Sequence, residues 1–462
     1  MASKASVRSV GRGAAYHCGE CGWTAPKWVG RCAQCHTWGS VAQVGPTRSH
    51  LGPAALAALP AAIGEVDAHR CAPRPTGVGE LDRVLGGGLV AGAAVLLAGE
   101  PGIGKSTLLL DVAARAARAG RVVLYVSAEE SAGQIRLRAE RIDAMATSLY
   151  LTAETDLGTV LHHLERLAPD LLVVDSVQTI ASGEVEGAAG NVAQVREVAA
   201  ALVQAAKRRD LPVLLVGHVT KDGAVAGPRT LEHLVDVVLA FEGERHGRLR
   251  LLRATKNRYG PTDEVGCFDL SDAGIVGLAD ASGLFLSTRE AAVPGTCVTV
   301  ALEGRRPLVV EVQALVAPSH VPTPRRATHG LDASRVAMVT AVLHRRARVP
   351  IASSDVYTAT VGGARLTEPA ADLAIAVAVA SSVLDLPVPP QAVAFAEVGL
   401  AGELRPVTGM PRRLAEAARL GFRRAWVPPG VLAGAVVPAG LQVTEVADVA
   451  AAVTGVLGAA PG

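Results

Sequence analysis

What the chain lacks narrows its class first. Its 462 residues contain no uninterrupted apolar run of about 18 residues, the length a helix needs to cross a bilayer. The opening Met1-Ala2-Ser3-Lys4 carries no apolar core of the signal-peptide kind, so the expected location is the cytoplasm. An excess of one charge is also missing: 45 basic residues stand against 43 acidic ones, a net of +2. That balance excludes a globally basic nucleic-acid binder but not a local basic channel. Tryptophan is scarce; of four in the chain, Trp23, Trp28 and Trp38 crowd together and only Trp426 lies elsewhere. Hydrophobic residues make up 50% of the chain, enough for large cores, and the length suits two or three domains.

Four of the seven cysteines are close together: Cys18 and Cys21, ten residues, then Cys32 and Cys35. Two C-x-x-C knuckles at this separation supply four thiolates for one tetrahedral Zn²⁺. The segment 16–40 is too short to bury a core, so the metal is expected to provide its folding energy. His17 and His36 flank a shell that four thiolates already complete, and the three tryptophans either cover the metal or face a partner. Residues 1–15 read as a disordered lead, and 41–70, rich in Ala, Gly and Pro, as a linker.

Gly99-Glu100-Pro101-Gly102-Ile103-Gly104-Lys105-Ser106-Thr107 fits the phosphate-loop pattern. An apolar strand precedes it and the helical stretch from Leu108 follows, which is the context this motif requires. Loop and helix N–H groups are expected to cradle phosphates there, Lys105 to reach the β- and γ-phosphates of a nucleotide, and the Ser106 hydroxyl to ligate Mg²⁺. Strand-like runs at Val122–Ser127, Leu171–Asp175, Val213–Val219 and Val235–Phe241 alternate with helical stretches, so 71–285 is expected to form a parallel sheet covered by helices. Asp175 ends an apolar strand in the Walker B manner and holds Mg²⁺ through water. Glu129 ends the second strand, where it either orients the attacking water or, like Glu130, caps the next helix. His218 ends the fourth strand as a γ-phosphate sensor or a structural histidine. Lys256-Asn257-Arg258-Tyr259-Gly260 is a compact basic turn with three readings: a solvated hairpin end, a cation donor to a neighbouring subunit's nucleotide site, or a contact to DNA phosphates.

The four-cysteine module, the phosphate loop, Asp175 and this pentapeptide, in that order, resemble the bacterial RadA (Sms) family of DNA-repair ATPases, relatives of the RecA recombinase. The family's usual Lys-Asn-Arg-Phe-Gly has Tyr259 in place of Phe here. The resemblance runs from Cys18 to about Leu457. It implies a RecA-like P-loop core and an ATP-driven ring, expected to be a homo-hexamer. Such a ring binds single-stranded and branched DNA and drives branch migration, with Lys105, Lys256 and Arg258 needed for the DNA-linked ATPase. It also implies that the zinc module contacts a RecA-type recombinase or a replicative helicase.

Residues 286–462 mix helices and hairpins, an α+β unit resembling the proteolytic domain of Lon proteases. Where an active Lon carries its serine and lysine, this chain has Ala370 and Pro411. Ser–Lys catalysis needs both groups, so the domain is expected to be a proteolytically inactive scaffold, with Arg305, Arg306, Arg345 and Arg346 on a basic surface. Three functions are thereby ordered: a DNA-dependent ATPase motor, then an ATP-switched adaptor that recruits partners without translocating, then an ATP-dependent protease. The zinc reading is checked with Cys32→Ser, which is expected to lose the metal by native mass spectrometry; zinc retained at one per chain would remove the four-thiolate site.

Overall fold

The computed structural model describes residues 16–25, 27–43, 62–65, 71–218, 231–243, 247–280, 284–287, 292–434 and 436–458. The lead at 1–15 and most of the linker lie outside these. The chain divides into two compact units, 1–67 and 68–462.

In the first unit, β1 (Tyr16–Cys18) pairs antiparallel with both β2 (Thr24–Ala25) and β3 (Val41–Gln43). Its core is Cys18, Cys32 and Val41, with Tyr16, Trp23 and Val29 packed around them. Three residues expected to open the linker are therefore the third strand of the ribbon. They add pairing that a short module needs, because so small an apolar cluster cannot offset chain entropy.

The second unit begins with α1 (Gly79–Leu85), β4 (Ala94–Gly99), α2 (Lys105–Arg118), β5 (Val123–Ser127), α3 (Ala132–Arg141) and β6 (Leu149–Ala153). It continues through α4 (Leu157–Leu167), β7 (Leu171–Asp175), α5 (Val192–Arg208), β8 (Val213–His218) and β9 (Val237–Glu242). The strands line up as β9-β4-β8-β7-β5-β6, all parallel. This is the RecA-like core. Alternate residues serve opposite faces: Val95 and Leu97 pack with α1, α2 and α3, whereas Ala94 and Leu96 pack with α4 and α5. A sheet buried on both faces needs strands that are apolar throughout, which is why β7 reads Leu-Leu-Val-Val. The edge strand β6 is only half-buried and lacks so continuous a run.

Beyond β9 the sheet turns antiparallel through β10 (Leu249–Asn257), β11 (Val265–Ser271) and β12 (Gly274–Gly277). The boundary expected near residue 285 falls between β12 and the next sheet. That sheet orders β15-β16-β14-β13-β17-β20-β21, from β13 (Thr296–Glu303), β14 (Arg306–Pro318), β15 (Arg326–His329), β16 (Ser354–Thr360), β17 (Ala392–Ala394), β20 (Arg424–Val427) and β21 (Gln442–Glu445). The ribbon of β18 (Glu397–Val398) and β19 (Leu404–Arg405) stands apart. Helices α6 (Ala333–Arg346), α7 (Asp372–Leu384) and α9 (Val449–Leu457) cover one face, and α8 (Met410–Arg419) the other. The mixed strands and segregated helices are the expected α+β arrangement. Among the described residues no helix is long and apolar enough to cross a membrane.

One expectation is corrected. Arg306 is buried, not part of a basic surface; Arg305, Arg345 and Arg346 remain exposed. The Arg306 guanidinium pairs with buried Glu80 of α1 and donates to the carbonyls of Leu278 (2.6 Å) and Ala279 (2.9 Å). Glu80 also accepts the Cys267 N–H at 2.9 Å. Alongside, Gly304 takes a φ of +59°, and a Cβ there would lie 2.2 Å from the Asp263 carbonyl oxygen. The β13–β14 turn is thus seated on the end of the ATPase sheet. Breaking a buried pair strands the other charge. Arg306→Ala is therefore expected to cost about 3–5 kcal/mol in denaturant unfolding, largely recovered by apolar replacement of both Arg306 and Glu80.

Candidate nucleotide site and metal centre

The glycine loop sits between the end of β4 and α2. Gly104 is the N-cap of α2 with a φ of 109°, a conformation that favours glycine, and no side chain caps that terminus. Gly99 has no room for a side chain, since a Cβ would lie 2.5 Å from the Phe241 carbonyl oxygen. An uncapped helix start preceded by a tight glycine turn leaves N–H groups for an anion. The loop from Gly99 to Thr107 therefore fits a nucleotide phosphate.

Lys105 is buried, and its ammonium donates to the carbonyls of Gly99 and Glu100, both at 2.9 Å. Burial lowers its pKa to about 8 against the opposing pull of Asp175 and Glu129. Those two carboxylates lie near Lys105 because β4, β8, β7 and β5 are in parallel register, so their carboxyl ends meet at one edge. Asp175 is buried and its Oδ2 accepts a hydrogen bond from the Tyr125 hydroxyl at 2.8 Å. Glu129 is exposed and its Oε1 accepts from the Ser176 hydroxyl at 2.7 Å. Neither Glu129 nor Glu130 caps α3: Ser131 does, in a reciprocal capping box with Gln134, while Glu130 pairs with Arg138. The backbone of His218 is paired with Gly99 at the same edge; its side chain lies outside the described residues.

The pentapeptide is elsewhere. β10 runs antiparallel, so Asn257 pairs with Val237, which pairs with Val95, whereas the loop follows Gly99. Four residues of strand, roughly 13 Å at 3.3 Å each, separate these levels, and Lys256–Gly260 lies at the opposite end of the sheet from its own phosphate loop. A bulge between Ala254 and Lys256 re-aims the strand. Lys256 Nζ donates to the carbonyls of Glu232 (2.6 Å) and Val235 (2.7 Å); desolvation, then the Arg258 charge, lowers its pKa. Arg258 pairs at 3.3 Å with Asp236, a buried carboxylate that also receives Lys207 and the Ala94 N–H. Asn257 reaches the Val84 carbonyl at 3.2 Å, and burial together with Asp236 pushes the Tyr259 phenol up to about 12. Gly260 passes so close to α1 that a Cβ would lie 3.1 Å from Gly86 Cα.

In the ribbon, the Sγ atoms of Cys18, Cys21, Cys32 and Cys35 all lie within 4.8 Å of one another. Two of the separations are 3.6 Å, close to the edge of about 3.8 Å expected for thiolates around a tetrahedral zinc. The four sulfurs fit Zn²⁺, and neither His17 nor His36 belongs to the group. Trp23 packs on the cysteine core, whereas Trp28 and Trp38 are 63% and 74% exposed.

Ala370 is fully buried in a single 3₁₀ turn, and Pro411 lies in the first turn of α8. Two residues beyond Pro411, buried Arg413 grips Glu368 with two bonds of 2.7 and 2.8 Å and also donates to the Thr408 carbonyl.

Sequence reasoning missed three contributors. Tyr125 carries a lone hydroxyl in the middle of an apolar strand, a pattern that signals a buried hydrogen-bond partner; Arg250 is a buried cation in a strand that also carries Arg253 and Lys256, and it donates to the Ile103 carbonyl at 3.2 Å and so supports the loop. Asp236, the third, had no neighbour in sequence to announce it.

The same regions match known proteins. The AAA domain model matches residues 78–224 and the rubredoxin metal binding domain model residues 16–43. The chain is 56% identical over 452 residues to "DNA repair protein RadA" of Mycolicibacterium smegmatis, covering 95% of this chain and 96% of that one. It is 57% identical over 422 residues to the protein of that name from Mycobacterium tuberculosis (90% and 88% covered). Identity to the Streptococcus pyogenes protein is 45% over 442 residues (94% and 97% covered). Lys105→Ala is expected to abolish ATP hydrolysis in a phosphate-release assay; turnover near the wild-type rate would mean the loop is not the site.

Proposed function

The chain belongs to the RadA family of DNA-repair proteins, and from that premise we propose that it is a DNA-dependent ATPase motor, working as a hexameric ring on single-stranded and branched DNA to drive branch migration. The observation that carries this reading is the separation of Lys256–Gly260 from the phosphate loop of the same chain. We read this remote cationic turn as acting on a neighbouring subunit's nucleotide or on DNA rather than as a solvated hairpin end. In the first of these roles one chain is an incomplete machine.

At the nucleotide, Lys105 leaves its two carbonyl partners to hold the β- and γ-phosphates. Ser106 and Asp175 would hold a magnesium ion, which would neutralise phosphate charge when bound. Glu129, steadied by Ser176, orients the attacking water, and His218 at the end of β8 senses the γ-phosphate. Arg258 and Lys256 add positive charge across the subunit boundary. The ribbon keeps its zinc as a structural ion and serves as the contact for a recombinase or replicative helicase. The C-terminal domain is a scaffold without protease activity, since Ala370 and Pro411 offer neither nucleophile nor base.

The test compares steady-state ATP turnover with and without single-stranded DNA, and unwinding of a forked or three-strand substrate. DNA is expected to raise turnover, and Lys256→Ala is expected to retain ATP binding while losing work on DNA. If single-stranded DNA changes neither turnover nor sedimentation of the protein, the motor gives way to the ATP-switched adaptor.

A further inference from the structure

Tyr125 has no part in the mechanism above, yet it is the one side chain seen to donate a hydrogen bond to the Asp175 carboxylate among the described residues. It lies in the middle of β5, opposite Val173, which places it diagonal to Asp175 on the same face of the sheet. The ring is 1% exposed and packs with Leu97, Val173 and the apolar side of α2. From that seat the hydroxyl meets Asp175 Oδ2 at 2.8 Å.

We propose that Tyr125 is a positioning residue for the magnesium-holding carboxylate: its hydroxyl fixes the plane of Asp175 through one oxygen and leaves the other to accept from metal-bound water. The inference rests on the assignment of Asp175 to the magnesium ion. A short carboxylate on a two-bond stem can rotate, and Lys105 is close by to attract it. A donor locked in the sheet removes that freedom before nucleotide arrives, as partners of metal-holding groups do elsewhere. The bond is not needed to join the strands. β5 and β7 are already paired from Val123–Leu171 to Ser127–Asp175, and the Ala128 N–H adds a bond of 3.0 Å to the Asp175 carbonyl. A tyrosine kept for packing alone has no use for its hydroxyl, so removing only that atom separates the two roles.

The experiment uses the full chain and a fluorescent, non-hydrolysable methylanthraniloyl-ATP analogue. Affinity is measured in EDTA and in saturating Mg²⁺ for wild type, Tyr125→Phe and Asp175→Asn, and the readout is the ratio of the two affinities. Tyr125→Phe is expected to lower the ratio about tenfold while its EDTA affinity stays near wild type, with Asp175→Asn lowering the ratio at least as far. If Asp175→Asn lowers the ratio and Tyr125→Phe keeps it at the wild-type value, the positioning role is overturned and the magnesium assignment stands, whatever happens to the variant's absolute affinity or stability. If Asp175→Asn itself keeps the wild-type ratio, the magnesium assignment fails and this inference falls with it.

Discussion

Parallel strand register is the constraint on which the nucleotide end of this molecule depends. Four strands, β4, β8, β7 and β5, run side by side in one direction, so Gly99, His218, Asp175 and Ser127 finish at the same edge. Hydrogen bonding along the ladder sets the level of each residue, and apolar side chains on both faces prevent a slip, since a one-residue shift would turn every core side chain to the wrong side. Helix α2 then starts where the loop ends, aiming its free N–H groups at the space above that edge. Three of the polar residues there have a hydrogen-bond partner: Tyr125 for Asp175, Ser176 for Glu129, the loop carbonyls for Lys105.

The same sheet explains why the basic pentapeptide is remote from the loop. Once β10 reverses direction, its carboxyl end must lie where the parallel strands begin. Buried Asp236 anchors that end by gathering Lys207, Arg258 and the Ala94 N–H. The cations are held in place by their own chain while Arg258 and Tyr259 remain partly exposed. The buried Glu80–Arg306 pair serves a different end, joining the ATPase sheet to the turn of the C-terminal hairpin, so these two halves of the unit share a polar contact that water does not weaken.

Much of this was legible in the residues. Glycine spacing, Lys-Ser and an apolar strand before them define a phosphate loop because each has a steric or electrostatic reason to be there. The paired C-x-x-C knuckles are as direct, since thiolate geometry allows few alternatives. The central strands were visible because burial on both faces demands unbroken apolar runs. The half-buried edge strand β6 was not visible, nor were β11 and β12, where the apolar signal is interrupted. Arg306 was misjudged because Arg305-Arg306 reads as a charged turn; its partner Glu80 is more than two hundred residues away.

By itself the sequence determined which chemical groups the protein owns: a glycine-rich loop with Lys-Ser, an aspartate at the end of an apolar strand, four thiolates, and a C-terminal domain without a serine–lysine pair. These are local patterns, and local sterics and ligand chemistry are enough to interpret them. Only the tertiary structure decided who stands beside whom. It brought Tyr125 to Asp175 across two strands and buried Arg306 against Glu80, and it sent Lys256–Gly260 to the end of the sheet away from the loop. Contacts of that kind follow from strand direction and register, which depend on how the whole core packs and leave no mark at the residues concerned.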